Sequence, residues 1–186
     1  MNTLHHGFWT YIAMRKRKDV VKYAIIGSLV PDLVYYIMFF YILFFGDIFT
    51  SQPIEEIGWS GVLHDMAHAL FAHPVVEVLR QAGHSFAVWL FFYIIVVFFK
   101  GWKLNKWTGF LYGWLGHIII DLLTHVEDAV PIFYPFSMKV IRGPISYWDD
   151  DHYGDIFSLL NGILMATAIL WILIKKVNAN RKKRSL

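Results

Sequence analysis

Three residues that can bind a metal or transfer a proton recur at every fourth position of one apolar stretch, residues 107–125. They are His117, Asp121 and His125. Because an α-helix turns by about 100° per residue, residues four positions apart lie on one face of it. A carboxylate is costly within a hydrocarbon layer, so we expect this face to meet protein, water or metal rather than lipid. The pattern predicts a buried helix with a polar stripe.

The same stretch carries three glycines with the small-xxx-small spacing that lets two helix backbones approach closely. They are Gly109, Gly113 and Gly116. The helix at residues 107–125 is therefore predicted to pack tightly against another helix.

A second carboxylate, Asp32, lies within another apolar stretch, residues 20–45, directly after Pro31. Proline removes a helical hydrogen bond and disfavours helical geometry at the preceding residue, so we expect a break in the helix here. Backbone groups freed within a membrane are tolerated only where protein or water meets them. Asp32 can be a ligand at the break, a cap of the helix that restarts after it, or both.

The histidines between residues 60 and 90 differ in their sequence context. His84 follows Gly83 and opens an apolar stretch whose helix Ser85 could cap without help from the histidine. His64 and His68 have the spacing of paired ligands in zinc proteases. In a chain with nine histidines, we interpret this pair as surface or interfacial residues.

The first 18 residues contain aromatic side chains followed by a basic cluster, which predicts a short helix at the lipid headgroups. We interpret His5 as a solvated surface residue, whereas His6 stays open as a ligand folded back over a site. The acidic run that ends at His152 is interpreted as a hydrated turn capping the next helix, with cation binding as the alternative.

The composition assigns the chain to the all-α membrane proteins. Of its 186 residues, 57% are hydrophobic and 18% aromatic, which is more apolar than usual for a soluble domain. The basic residues lie in short runs beside apolar segments, so lipid headgroups are the expected partner and nucleic acid is not. There is no cysteine, so any metal would be held by imidazole and carboxylate, which suits zinc, manganese, iron or nickel.

Four transmembrane helices are predicted in a single integral membrane domain, together with short interfacial or amphipathic helices. A helix needs about 20 residues to cross a bilayer core, and the second span is shorter than this. The predicted spans are residues 20–45, 84–99, 107–125 and 156–174. A basic tail follows at residues 175–186.

The distribution of lysine and arginine predicts the orientation. Only Arg80, Lys139 and Arg142 lie in the segments 46–83 and 126–155, and the other 14 of the 17 basic residues flank the opposite ends of the spans. Because cytoplasmic loops carry the excess of basic residues, both termini are predicted to lie in the cytoplasm of a cell (inner or plasma) membrane.

The depth of each polar residue in its span allows several of them to meet. Measured from the start of the span at about 1.5 Å per residue, Asp32 lies about 18 Å deep, His117 about 15 Å and Asp121 about 21 Å. His84 enters from the opposite face. We expect these side chains to converge in a pocket open to the exterior or to the outer leaflet.

Four short motifs occur in an order that resembles one family. They are G-S-L-V-P-D at 27–32, G-H-S at 83–85, G-H-I-I-I-D at 116–121 and P-F at 135–136. This order is similar to that of the YdjM/YbcI-type inner-membrane proteins, which are described as membrane-bound metal-dependent hydrolases. The resemblance covers about residues 24–137.

The resemblance implies which residues hold the metal or act in catalysis. They are Asp32, His84, His117 and Asp121. Where the family reads H-R-G-x-T-H-S, this chain reads Q-A-G-H-S, with Arg80 close by. The first histidine of that motif is therefore unmatched. This histidine is either lacking or replaced by His6, His64, His68 or His125. If it is lacking, the chain would be a member of the family without activity.

These observations together predict a hydrolase with one divalent ion, in the first instance zinc, held by the four residues that the resemblance implies. His125 or Asp128 is predicted as the general base or as a hydrogen-bond partner of a ligand. A site within the lipid layer favours a lipid-like substrate, and phosphoester hydrolysis is the predicted reaction.

Two other functions fit the same residues. Intramembrane histidine and aspartate beside a broken helix also occur in ion or proton transporters, and a chain of this size would act there as one subunit of an oligomer. Alternatively, the polar stripe joins the helices by hydrogen bonds alone, in a structural membrane protein without metal.

Overall fold

The computed structural model describes residues 1–45 and 69–184, in which all regular secondary structure is helical and no strand occurs. The predicted all-α class is confirmed. The pair His64 and His68 lies outside the described residues. The main helices are α1 (Thr3–Met14), α2 (Val21–Leu29), α3 (Leu33–Phe45), α4 (Pro74–Gly83), α5 (Phe86–Lys100), α6 (Lys106–Thr124) and α7 (Gly154–Arg184).

The break predicted at Pro31 is confirmed. Helix α2 ends at Leu29, a 3-10 turn follows at Val30–Asp32, and α3 begins at Leu33. The side chain of Asp32 is only 6% exposed at this turn. The break therefore turns a carboxylate toward the protein interior.

Two segments are long and apolar enough to cross a membrane, Val21–Phe45 and Gly154–Lys182. The pair α4 and α5, bent by 61° between Gly83 and Phe86, can count as a third. Helix α6 is not one of these segments. The structure is thus consistent with a membrane protein of two or three spans, and the predicted four spans stay a prediction.

Helices α2 and α6 touch through their backbones. A Cβ atom on Gly113 would lie 1.9 Å from the carbonyl oxygen of Ala24, and one on Gly109 would lie 2.0 Å from a methyl carbon of Val20. The predicted close approach is confirmed at these two glycines. It is wrong at Gly116, where an added Cβ would meet nothing within 4 Å.

The contact is reciprocal, because α2 also presents a glycine to α6. A Cβ atom on Gly27 would lie 1.9 Å from the carbonyl oxygen of Phe110. The start of α6 is fixed by a capping box, in which Asn105 accepts from the backbone N–H of Thr108 and the Thr108 hydroxyl accepts from that of Asn105. The register of α6 against α2 is therefore set by main-chain atoms.

Helix α1 differs from the predicted interfacial helix at its first turn. His6 and Gly7 are buried there, because α1 lies against α2 and its amino end enters the protein interior. His5 is half-buried, and the amide nitrogen of Asn161 on α7 lies 3.1 Å from its Nδ1. The interpretation of His5 as a solvated surface residue is therefore wrong, since α7 covers this face of α1.

We expect Gly113→Ala to destabilise the protein by about 1–3 kcal/mol, because the new methyl group would overlap the Ala24 backbone. Thermal unfolding in detergent micelles measures the effect. Gly116→Ala is the matched control on the same helix, and it should be neutral or stabilising by up to about 1 kcal/mol because alanine favours a helix. Equal melting temperatures for the two variants would contradict the backbone contact.

Candidate metal centre

Four buried side chains from three segments of the chain meet at one point. One ligand atom from each lies within 4.8 Å of the other three, so the group could hold a metal ion. Its members are Asp32, His84, His117 and Asp121. The predicted convergence of these residues is confirmed, and their binding of metal stays a prediction. We refer to these four residues as the metal group.

His84 lies between two helices rather than inside one. It follows the last residue of α4, and Ser85 caps α5 by accepting hydrogen bonds from the N–H groups of Ala87 and Val88. The cap predicted for Ser85 is confirmed. A Cβ atom on Gly83 would lie 3.2 Å from the Cα atom of Pro31, so the bend between α4 and α5 packs against the break between α2 and α3.

Segment 131–136, which contains the P-F motif, holds this bend from the other side. The hydroxyl of Ser85 lies 2.6 Å from the carbonyl oxygen of Tyr134, and the N–H of Phe86 donates to the carbonyl oxygen of Ile132 at 2.8 Å. The Tyr134–Pro135 peptide bond is cis. The motifs G-H-S and P-F are thus neighbours in space, and together they position His84.

Backbone carbonyl groups fix the orientation of both imidazoles in the metal group. The Nδ1 atom of His117 lies 2.8 Å from the carbonyl oxygen of Ser28, and that of His84 lies 2.8 Å from the carbonyl oxygen of Arg80. A carbonyl oxygen can only accept, so each Nδ1 carries a hydrogen. In the neutral imidazoles, both Nε2 atoms therefore present lone pairs to the centre, where they lie 3.1 Å apart.

The two carboxylates add further acceptors at the same point. Asp121 Oδ2 lies 3.0 Å from His117 Nε2 and 3.3 Å from His84 Nε2. Asp32 Oδ1 lies 3.6 Å from His117 Nε2 and 3.4 Å from His84 Nε2. When both imidazoles are neutral, these four acceptors have no hydrogen between them and repel one another unless a cation lies among them. Separations of this size suit a divalent ion with bonds of about 2.0–2.2 Å to imidazole and carboxylate.

The other oxygen of Asp121 has its own set of partners. Asp121 Oδ1 lies 2.5 Å from the α-amino nitrogen of Met1, 2.9 Å from His6 Nε2 and 3.2 Å from His125 Nε2. On its opposite edge, His125 Nδ1 lies 2.7 Å from Asp128 Oδ2. The predicted pair His125 and Asp128 is therefore one hydrogen-bonded unit in contact with the metal group.

The charges at the outer edge of the site influence one another. Burial raises the pKa of Asp128, but the hydrogen bond with His125, the charge of His125 and the hydrogen bond from Trp148 together hold the pKa below its usual value. Burial, assisted by the negative charge of Asp128, raises the pKa of Tyr147 to about 12. Burial also lowers the pKa of His6. Asp128 is therefore the charged group here, whereas Tyr147 is neutral near pH 7.

A cavity of about 620 Å³ opens onto the metal group, a volume typical of pockets that hold small molecules. Asp32, His84 and Asp121 form part of its wall, and aromatic and aliphatic side chains form much of the rest. Arg80 also lines the cavity, and its guanidinium donates to the backbone carbonyl of Asp128. The site thus combines a metal group, a cation and an apolar wall.

Sequence reasoning missed three contributors to the site. Thr3 donates from its hydroxyl to Asp32 Oδ2 at 2.6 Å. The carbonyl group of Ser28 orients His117, and no residue type signals a backbone contact of this kind. Arg80 enters the sequence analysis through the count of basic residues and its closeness to a family motif, and neither predicts that its carbonyl oxygen contacts His84 Nδ1.

His152, which the sequence left open, does not line the cavity. Its Nδ1 atom lies 2.8 Å from Asp149 Oδ2, and Asp149 caps the 3-10 turn Asp150–His152. The interpretation of this acidic run as a turn before the last helix agrees with the structure. This Asp–His pair matches the pair of Asp128 and His125 in chemistry but lies apart from the metal group.

Comparison with known proteins adds no assignment: no protein-family model, no curated protein and no solved structure matches this chain. The functional argument therefore rests on the geometry of the metal group and its cavity.

We expect Asp121→Asn to lose bound divalent metal, because the neutral amide removes one charge and presents hydrogens toward the imidazoles. Metal content after dialysis against zinc measures the loss. In the unchanged protein, zinc at about 100 times its dissociation constant should stabilise the fold by about 2.7 kcal/mol, and this gain should vanish in the variant. Asp149→Asn, the same change outside the metal group, should retain both properties. Full metal content in Asp121→Asn would contradict the assignment.

Proposed function

We propose that this chain is a membrane-bound metal-dependent hydrolase that cleaves a phosphoester in a lipid-like substrate. We further propose that it belongs with the YdjM/YbcI-type proteins, whose motif order its sequence resembles. The observation that carries the proposal is the convergence of two imidazole Nε2 atoms and two carboxylates at one buried point, which a 620 Å³ cavity reaches through Asp32, His84 and Asp121. Zinc is the expected ion, with manganese, iron and nickel as the other ions that suit these ligands.

The orientation of the imidazoles favours a metal over a hydrogen-bonded structural seam. In a seam, each imidazole would have an acceptor of its own, whereas Nε2 of His84 and Nε2 of His117 lie 3.1 Å apart and share the same two carboxylate oxygens. The carbonyl groups of Ser28 and Arg80 hold the other nitrogen of each ring. A backbone carbonyl behind a ligating histidine is the usual support of a metal site, because it fixes both the ring and its tautomer.

Several residues at the site have separate tasks in the proposed reaction. A divalent ion, when bound, supplies Lewis acidity that activates water and polarises a phosphoryl oxygen. Thr3 holds Asp32 Oδ2, which leaves Oδ1 for the centre. Asp128 orients His125, whose Nε2 faces Asp121 Oδ1 at 3.2 Å. The predicted role of His125 and Asp128 in proton transfer stays a prediction.

The cavity supports a substrate with an anionic group and an apolar body. Arg80 can offer a guanidinium to phosphate oxygens, for which its planar donors are well suited. Tyr35, Phe71 and Ile132 line the same cavity and can contact an acyl or prenyl chain. A phosphoester that carries such a chain would place its phosphorus near Arg80 and the metal group.

We place the protein in the cell membrane with four spans and with both termini in the cytoplasm. The distribution of basic residues supports this orientation. Ile141 and Trp148, from the segment assigned to the outer side, line the cavity together with Asp128. In this arrangement the site would open toward the outer face, within reach of lipids of the outer leaflet.

The proposed topology can be tested directly because the chain has no cysteine. In intact cells, we expect an impermeant maleimide to label Lys139→Cys, since the exposed side chain lies on the outer segment. Lys103→Cys is the matched control, exposed in the loop between α5 and α6, and should react only after the membrane is permeabilised. Labelling of Lys103→Cys in intact cells would overturn the orientation.

We expect the zinc- or manganese-loaded protein in micelles to hydrolyse bis(p-nitrophenyl) phosphate or phosphatidic acid. His117→Ala should lower kcat/KM by about 100-fold or more, because a ligand of the metal group is lost. His152→Ala is the control, since its Asp–His pair lies outside the cavity, and it should retain full activity.

Absence of turnover by the metal-loaded protein on these substrates would argue against the hydrolase. Metal flux into proteoliposomes, lost in His117→Ala, would support the transporter instead. Absence of bound metal, with melting unchanged by a chelator, would support the structural protein.

A further inference from the structure

We propose that Asp121 bridges two cation positions, of which the metal group is the first. The second is formed by Asp121 Oδ1, His125 Nε2, Thr124 Oγ1 and His6 Nε2, and its ligand is a second divalent metal ion. This inference rests on the proposed function, because the first position uses the other oxygen of the same carboxylate.

A positive charge already lies at the second position in the structure. The α-amino nitrogen of Met1 lies 2.5 Å from Asp121 Oδ1, 2.9 Å from His125 Nε2 and 3.1 Å from Thr124 Oγ1. An ammonium group is a compact cation that donates three hydrogen bonds. Three acceptors therefore surround a cation at this position, on the side of Asp121 that carries Oδ1 rather than Oδ2.

His125 presents a lone pair to the second position. Its Nδ1 lies 2.7 Å from Asp128 Oδ2, and an ionised carboxylate can only accept, so Nδ1 carries the hydrogen. A carboxylate behind a histidine is the arrangement that orients metal-ligating imidazoles. A lone pair that binds a cation cannot also accept a proton, so the geometry makes His125 a ligand and Asp128 its positioning residue.

His6 supplies the remaining imidazole. It is fully buried, its Nδ1 has no hydrogen-bond partner within the described part of the chain, and its ring stacks on His117 with centroids 3.8 Å apart. Its Nε2 lies 2.9 Å from Asp121 Oδ1 and 3.0 Å from the carbonyl oxygen of Met1. In the proposed site, the metal ion takes the place of the Met1 amino group, and His6 Nε2 binds it through a lone pair, with the hydrogen on Nδ1.

The sharing of one carboxylate by the two positions fits known chemistry. One carboxylate whose two oxygens bind different ions holds them close together, and two-metal sites with ions about 3.5–4 Å apart are common in phosphatases and nucleases. Such a pair contacts both the attacking and the leaving oxygen of a phosphoester. The second position therefore narrows the proposed reaction to phosphoester hydrolysis with two metal ions.

Counting bound ions separates this inference from the proposed function. The full chain in micelles is dialysed against manganese and analysed for metal content and for exchange coupling by electron paramagnetic resonance. We expect two coupled ions per chain in the unchanged protein and one uncoupled ion in His125→Ala. His152→Ala removes the matched Asp–His pair outside the cavity and should retain both ions.

The outcomes are distinguishable. One ion in the unchanged protein and one in His125→Ala would overturn the second position while the proposed function stands. No ion in either would overturn both. Two ions in each protein would also overturn the second position. So would the loss of every ion in His125→Ala while the unchanged protein retains its ions. If His125→Ala does not fold, His125→Phe provides the same test, because the ring can retain the contact that His125 makes with Tyr147.

Discussion

Two backbone carbonyl groups determine what this site can bind. The carbonyl groups of Ser28 and Arg80 each occupy one nitrogen of an imidazole and thereby direct the other nitrogen toward the centre. Both belong to the last turn of a helix, where carbonyl groups lack a full set of helical partners. Without these contacts, either ring nitrogen of His84 and of His117 could face the centre.

The helix breaks are therefore part of the site. Pro31 ends α2 and leaves the Ser28 carbonyl near His117, while Gly83 ends α4 and lets His84 turn inward. The freed groups find partners inside the protein. For instance, the carbonyl oxygen of Gly83 accepts a hydrogen bond from Trp114 Nε1 at 2.5 Å. Buried irregular backbone needs such partners, because an unpaired main-chain polar group inside a protein is costly.

Much of the metal group could be predicted from local patterns. The four-residue spacing of His117 and Asp121 fixes their common face, and Pro31 fixes the break beside Asp32, because both effects follow from backbone geometry along one helix. The contribution of α1 could not be predicted in this way. His6 and Thr3 reach the centre only because α1 packs against α2, and a segment with aromatic and basic residues resembles an interfacial helix regardless of where its first turn lies.

The number of spans could not be predicted reliably from sequence patterns, because these patterns do not show which helices enclose one another. Helix α6 is long enough to cross a bilayer, but its interior-facing histidine, aspartate and glycines lower its apolar character. Conversely, α5 is apolar but short, and it reaches the length of a span only when it is counted together with α4, from which it is bent by 61°. Length and composition describe each helix alone, whereas enclosure by neighbouring helices decides how polar a spanning helix can be.

The reciprocal glycine contact between α2 and α6 has a consequence for motion. Gly27 and Gly113 bring carbonyl oxygens of the partner helix against Cα atoms, so no flexible side chain lies between the two backbones at this level. We therefore expect the two helices to tilt as one body. Asp32 and Asp121, carried on either side of that contact, would keep their separation during such a motion.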